Sequence, residues 1–207
     1  MKHVLLEDIK RLKAMADTGL LYADNQFDKE RYNELIAMSH RLLATVSGND
    51  EETIKALFLP VTEYPTVKTD VRALVLSEDK KKVLLARESV DGKWTLPGGW
   101  ADIGETPKEA TEKEVREETG LIVEAKKLLA VFDKRKHPHP PQPYYIYKLV
   151  FYCEVVSGEL QSGFDMLDAG FFDIDMLPEL SQDRILESQI KLLHRKAKDN
   201  DFEAYFD

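Results

Sequence analysis

The sequence predicts an α/β (α+β) sandwich with mixed sheets, preceded by a small helical module. Three observations carry this expectation. Apolar residues recur every three or four positions through the first sixty or so residues, and the composition turns to strand material at Pro65. Strands, a helix, further strands and a final helix then follow in order. At 207 residues the chain has room for one large domain, or an ordinary domain plus a small one, with a real hydrophobic core in either case.

In the first stretch Leu5, Ile9, Leu12 and Met15 keep helical spacing, as do Tyr32, Leu35, Ile36, Leu42, Leu43 and Val46, with charged residues between them. Ala23-Asp24-Asn25-Gln26 separates the two helices, and Ser47-Gly48-Asn49-Asp50 ends the second. A shorter helix is expected to start at Asn49 or Asp50, which places Glu52 or Thr53 near its third position, and to stop before Pro60. Three short helices make a module with little independent stability, so it is expected to pack on the rest of the chain or on a second subunit. The one boundary the sequence proposes lies near residue 62, dividing a helical module (residues 1–62) from a second domain (residues 63–207).

Residues 67–76 alternate and then become apolar, a charged turn follows, and Val83-Leu84-Leu85-Ala86 is expected to pair back as a hairpin. Leu128-Leu129-Ala130-Val131-Phe132 and residues 144–156 supply further strands, the latter ending at the turn Ser157-Gly158-Glu159. A last amphipathic helix is expected from about Ser181, with Ile185, Ile190, Leu192 and Leu193 as its apolar members. No internal repeat or low-complexity tract interrupts this order.

Composition narrows the class. The net charge of -9 disfavours binding to nucleic-acid backbones, whose affinity comes from Lys and Arg neutralising phosphates. It does not exclude anionic small molecules, because local cations or a bound metal can invert the field inside one cleft. The single cysteine, Cys153, rules out an intrachain disulfide framework and fits a reducing compartment. No stretch is long and apolar enough for a membrane span, and Met1-Lys2-His3 leads straight into an amphipathic pattern without a signal-peptide core. The expectation is a soluble cytoplasmic protein.

The chemistry is concentrated in PGGWADIGETPKEATEKEVREETGL, residues 97–121. Thr106-Pro107-Lys108-Glu109 reads as a helix start with a Thr cap, Pro at the first position and Glu at the third, and Gly120 supplies the stop. On a helix over residues 107–119, Glu114, Glu117 and Glu118 share one face, where like charges destabilise it by roughly 0.2–0.5 kcal/mol per pair. A divalent cation would reverse that sign. Hard ions such as Mg²⁺ and Mn²⁺ take several oxygens, keep some waters and are completed by substrate phosphates.

The run Gly99-x5-Glu105-x7-Lys113-Glu114-Val115-x-Glu117-Glu118-x-Gly120-Leu121 resembles the Nudix box of the Nudix hydrolases at every defined position but one. The exception is Lys113, where the family usually has Arg. An Arg there is expected to hold one of the glutamates through its planar fork, whereas Lys offers a point charge with less directional control. The resemblance implies a Nudix α/β/α sandwich with a mixed sheet. It implies metal ligation by Glu114 and Glu118, with Glu117 a third or water-bridged ligand, the Gly98 carbonyl a backbone ligand, and Glu105 a supporting or bridging group. The reaction implied is Mg²⁺- or Mn²⁺-dependent hydrolysis of a nucleoside diphosphate linked to a moiety X. Candidates for the general base are Glu114, Glu117, Asp165 and Asp168.

Outside the box, the segment from Asp133 to Pro141 is either an ordinary solvated loop or a source of cations, Arg135, Lys136 and His137, for substrate phosphates. In the second case Tyr144 or Tyr145 would stack on a base. His137 and His139 stand two apart without Cys partners, which argues against zinc. Trp100 either lines the cleft or packs under the loop. A helical module followed by a Nudix domain at this length resembles a bacterial subgroup described as ADP-ribose or CDP-choline pyrophosphatases. In that subgroup the extra helices help to form a dimer and approach the nucleotide, so a homodimer acting on a small nucleotide conjugate is expected. The competing expectations are a Nudix-fold ligand sensor without turnover and a nucleoside triphosphate housecleaning pyrophosphatase. The intact glutamates and acidic balance weigh against the sensor, and the helical extension against the triphosphatase.

Overall fold

The computed structural model describes residues 2–207, and for Lys2 and His3 the backbone alone; Met1 lies outside the described residues. The chain forms two compact units, Met1–Val67 with Pro141–Tyr144, and Lys68–Pro140 with Tyr145–Asp207. The boundary proposed near residue 62 falls in the non-helical connection ahead of this division, and a single cut does not provide for the return of Pro141–Tyr144.

The first unit contains α1 (Lys2–Tyr22), α2 (Gln26–Ser47) and α3 (Glu51–Ala56). Asn25 caps α2 by accepting from the Asp28 amide at 2.8 Å, and Gly48 ends it in the left-handed conformation at φ 78°. Asp50 caps α3 by accepting from the Thr53 amide at 2.8 Å. Ile9, Leu43 and Ile54 form the small core. Beside it lies a cavity of about 570 Å³ lined by Leu6, Leu43, Ile54, Phe58, Pro141 and Pro143.

The second unit holds two sheets. β1 (Lys68–Val75), β5 (Ile146–Gly158), β4 (Leu121–Asp133) and β7 (Tyr205–Phe206) form the larger in the order β1-β5-β4-β7, with β1 parallel to β5 and β5 antiparallel to β4. The smaller is antiparallel, β3 (Trp94–Thr95), β2 (Lys82–Glu88) and β6 (Met166–Asp173). The hairpin expected between residues 67–76 and 83–86 is corrected here. Its two strands belong to different sheets and meet at the bridge between Leu76 and Val83, closed by the Ser77 amide donating to the Lys82 carbonyl at 3.0 Å.

Both faces of the inner strands are covered. Ala73, Val75, Leu84 and Cys153 pack with Val115 of α4 (Pro107–Thr119), while Leu74, Val83, Leu85 and Phe132 pack with Ile190 and Leu193 of α5 (Glu187–Lys198). The final helix therefore starts later than Ser181. Ser181 and Ile185 are buried in the turns that precede it, where the Ser181 hydroxyl donates to Asp91 at 2.7 Å. Among the described residues no helix is long and apolar enough to cross a membrane.

Candidate active site

The helix that carries the glutamates forms as its sequence dictates. The Thr106 hydroxyl accepts from the Glu109 amide at 3.2 Å, the Glu109 carboxylate accepts from the Thr106 amide at 2.9 Å, and Gly120 closes α4 at φ 70°. Val115 fixes the buried face. Ahead of α4 the chain runs antiparallel beside β1, where the amides of Val71, Ala73 and Ala101 donate to the carbonyls of Gly99, Pro97 and Thr69 at 2.9, 2.8 and 3.1 Å.

In such a run alternate peptide groups point away from the neighbouring strand. The Gly98 amide does so, donating to Glu118 Oε2 at 3.0 Å. Only glycine fits at this residue: its φ is +140°, and a Cβ there would stand 2.0 Å from the Val71 carbonyl oxygen. At Gly99 a Cβ would stand 2.9 Å from Glu114 Oε1. The paired glycines thus make a notch in which the carboxylates of Glu114 and Glu118 lie against backbone.

The electrostatics of the notch are unusual for carboxylates. Burial pushes Glu118, 5 % exposed, up to about 8, and Glu114 up to about 7; Arg72 opposes both shifts, and the like charges of Glu117 and Asp165 add to that of Glu114. Glu88, buried and raised for the same first reason, adds its charge to Glu118 and is paired with Arg184 at 2.6 Å. Arg72 is itself buried, donating to Asp70 at 2.7 Å and to the Leu96 carbonyl at 3.1 Å, and Asp70 also accepts from Lys148. Among the described residues no three His, Cys, Asp or Glu side chains form a ready cation cage. What is present is an all-oxygen donor set, the buried Glu118 and the half-buried Glu114, neither in a salt bridge among the described residues, beside glycines where a Cβ would fill the space. That set fits a hard divalent cation.

The remaining expected residues fall into place as follows. Glu117 is exposed, with Arg116 3.8 Å away. Lys113 donates to Glu105 at 3.0 Å and to Asp102 at 2.9 Å, so it ties two carboxylates of the loop to the helix, and both hold its own pKa above the usual lysine range. Asp165 precedes β6 and its charge reaches Glu114, whereas Asp168 lies within β6 and accepts from the Ala169 amide at 2.8 Å. Arg135 turns back to Asp133 and stands 5.0 Å from the Tyr145 ring centre. His137 Nε2 lies 3.1 Å from Asp207, Lys136 is exposed, and the Tyr144 hydroxyl donates to the Leu57 carbonyl within the first unit. Trp100 is 50 % exposed with the Lys68 ammonium 5.5 Å from its ring centre. Arg72, Glu88 and Asp70 were not among the expected site residues. Their only trace in the sequence is charge inside otherwise apolar strands.

Comparison with known proteins identifies relatives along the whole chain. A family profile described as the NUDIX domain matches residues 66–195, and one described as a UDP-X-like, N-terminal oligomerisation domain matches residues 4–58. YjhB of Bacillus subtilis (strain 168), provisionally named an ADP-ribose pyrophosphatase, is 41 % identical over 98 % of this chain and 96 % of its own length. The ADP-ribose pyrophosphatase of Methanocaldococcus jannaschii is 37 % identical over 83 % of this chain and 90 % of its own. A crystal structure of a UDP-X diphosphatase is 34 % identical and superposes with a TM-score of 0.64 over 100 % of this chain and 99 % of that one.

Proposed function

The chain belongs to the Nudix hydrolase family, and from that premise we propose that it is a pyrophosphatase dependent on Mg²⁺ or Mn²⁺, cleaving an X-linked nucleoside diphosphate of the ADP-ribose or CDP-choline kind to a nucleoside monophosphate and X-phosphate. The observation that carries this reading is the pair Glu114 and Glu118, both with raised pKa, seated on the Gly98-Gly99 turn in the register of the motif. The names of the relatives favour a nucleotide conjugate over a triphosphate.

Glu114, Glu118 and the Gly98 carbonyl would hold the cation, with Glu117 joining directly or through water. When bound, the cation neutralises the diphosphate and lowers the pKa of an attacking water. The chain's own residues do the rest. Arg72 keeps a fixed positive charge behind the carboxylates. The bond from water oxygen to phosphorus forms as the bridging P–O bond breaks, and the water proton passes to a carboxylate. Of the later aspartates Asp165 is the one whose charge reaches Glu114, so Asp165 or Glu117 takes that proton in this reading.

The first unit supports an oligomer. Its description as an oligomerisation domain is matched by the exposed apolar side chains of Leu5, Met15, Phe27, Leu42 and Leu59. We infer a homodimer, for which sedimentation at micromolar concentration should give twice the chain mass; a monomer counts against it. Activity is tested with Mg²⁺ and a panel of ADP-ribose, CDP-choline, nucleotide sugars and nucleoside triphosphates, with products identified. Release of a nucleoside monophosphate and X-phosphate from a conjugate is expected, with Glu114→Gln and Glu118→Gln each losing at least a hundredfold in kcat. No turnover of any member overturns the enzyme reading.

A further inference from the structure

A second cluster lies on the face of the large sheet that carries Arg72. In register Asp70 stands opposite Lys148, and Lys148 opposite Phe132, so their side chains share one face. Lys134 follows two residues beyond Phe132, at the start of a 3-10 turn, and is drawn inward: it is only 5 % exposed, while its neighbours Arg135 and Lys136 face solvent. Lys134 is within reach of the charges of Lys148, Arg72, Asp70 and Asp183.

The pairing in this cluster leaves one cation over. Asp70 is shared by Arg72 and Lys148, and Arg184 is matched by Glu88 and Asp91. Among the described residues the Lys134 ammonium makes no hydrogen bond and no ion pair. The residue is buried as a whole, but its ammonium is not among the fully buried polar atoms left without a partner, so the tip keeps access to solvent and to any anion that enters there. Burial and the nearby Lys148 accordingly push its pKa down to about 8.

His139 adds an opposite need. It is 8 % exposed, and its Nδ1 lies 2.6 Å from the Gln182 carbonyl oxygen. A carbonyl only accepts, so Nδ1 carries the proton and donates. Burial, with Lys134 and Lys148 acting in the same direction, pushes the ring down to about 4 and keeps it neutral. Its Nε2 is therefore a bare acceptor, buried and without a partner. The two groups lie within reach of each other's field, one wanting an anion and the other a hydroxyl donor. A free phosphate ion carries its P–OH donor on the same small group as its charge, whereas a phosphorylated sugar sets its hydroxyls several bonds away and can serve two separate groups at once.

We propose that Lys134 and His139, backed by Lys148, form a subsite for the sugar-phosphate portion of the substrate, with the ammonium on a phosphate oxygen and Nε2 accepting from a sugar hydroxyl. The identity of the ligand rests on the pyrophosphatase reading. Arg72 stands between the cluster and the glutamate notch: it shares Asp70 with Lys148, and its charge acts on Glu114 and Glu118.

The test uses the full-length chain with chelator present, titrated calorimetrically with ribose 5-phosphate and separately with inorganic phosphate. Ribose 5-phosphate should bind at least tenfold more tightly than phosphate. Lys134→Met should weaken both at least tenfold while leaving the thermal midpoint unchanged or higher, because it removes a poorly solvated charge beside the like charge of Lys148. His139→Phe should bring ribose 5-phosphate down to the level of phosphate and leave phosphate unchanged. Lys134→Arg, which keeps the charge, should retain binding and serves if the Met variant does not fold. Absence of wild-type binding to ribose 5-phosphate at millimolar concentration overturns the subsite, as does unchanged affinity in Lys134→Met or an undiminished preference in His139→Phe. Binding with these dependencies alongside no turnover in the substrate panel would overturn the activity and uphold the subsite.

Discussion

Glu118 and Glu114 carry their raised pKa values into the stability of the metal-free protein. A carboxyl that titrates near 4.5 unfolded and near 8 folded binds its proton more tightly in the native state. Its contribution is therefore complete below about pH 4.5 and is lost as pH rises toward 8, on the order of a few kcal/mol for a group so buried. Asp70 works in the other direction and at lower pH. Burial alone would raise it, but Arg72 and Lys148 hold it below the usual range, so its contribution is lost only in acid. Denaturation of the chelated protein between pH 5 and 8 should show stability falling across that window, and Glu118→Gln should flatten the fall. A profile equally steep in that variant would mean that Glu118 is ionised in the folded state. At this scale the motif was readable because each residue has a fixed chemical task at a fixed spacing. Lys113 shows the limit: the sequence marks it as unusual, but its bonds to Glu105 and Asp102 depend on how the loop turns back over the helix. Lys113→Arg should preserve or raise activity.

Among elements, α4 was legible from cap to stop because its signals are local: Thr106, Pro107, Glu109 and Gly120 each act within one turn. The strands were legible as strands but not as partners. β1 alternates and then turns apolar and β2 is mostly apolar, both being buried on both faces for most of their length, and nothing in them says that they enter different sheets. β3 and β7 are two residues long and exist only through pairing with distant chain. The start of α5 was misplaced because Ile185 is buried like a helical residue while lying in a turn. The tightest element is the strand-like run before α4. Gly98→Ala would force a methyl into the Val71 carbonyl, so it should cost at least about 2 kcal/mol of stability and abolish activity, read by chemical denaturation and by turnover. A variant as stable and active as the parent would show that the run can shift.

For the whole molecule, composition and spacing gave two parts, and the structure shows that the division is not a single cut. Pro141–Tyr144 groups with the helices because its prolines line the apolar cavity there, a pairing across some ninety residues that no local pattern announces. The charges buried in the second unit were equally hidden. Lys134 and Arg135 are neighbours in one basic run, yet one faces inward and the other solvent, and the 3-10 turn that follows β4 decides which.

Cys153 makes one further property of this architecture measurable. The thiol sits under α4 among Val115, Ala125 and Leu84, and burial pushes it up to about 12. A thiolate reagent can reach it only when that layer opens, so the rate of labelling clocks local unfolding of the helix that bears the glutamates. Adding Mg²⁺ should slow the clock in the parent chain and leave it unchanged in Glu118→Gln. The lone cysteine thus serves as an internal reporter, readable without any substrate, of whether ion binding and the integrity of α4 are linked.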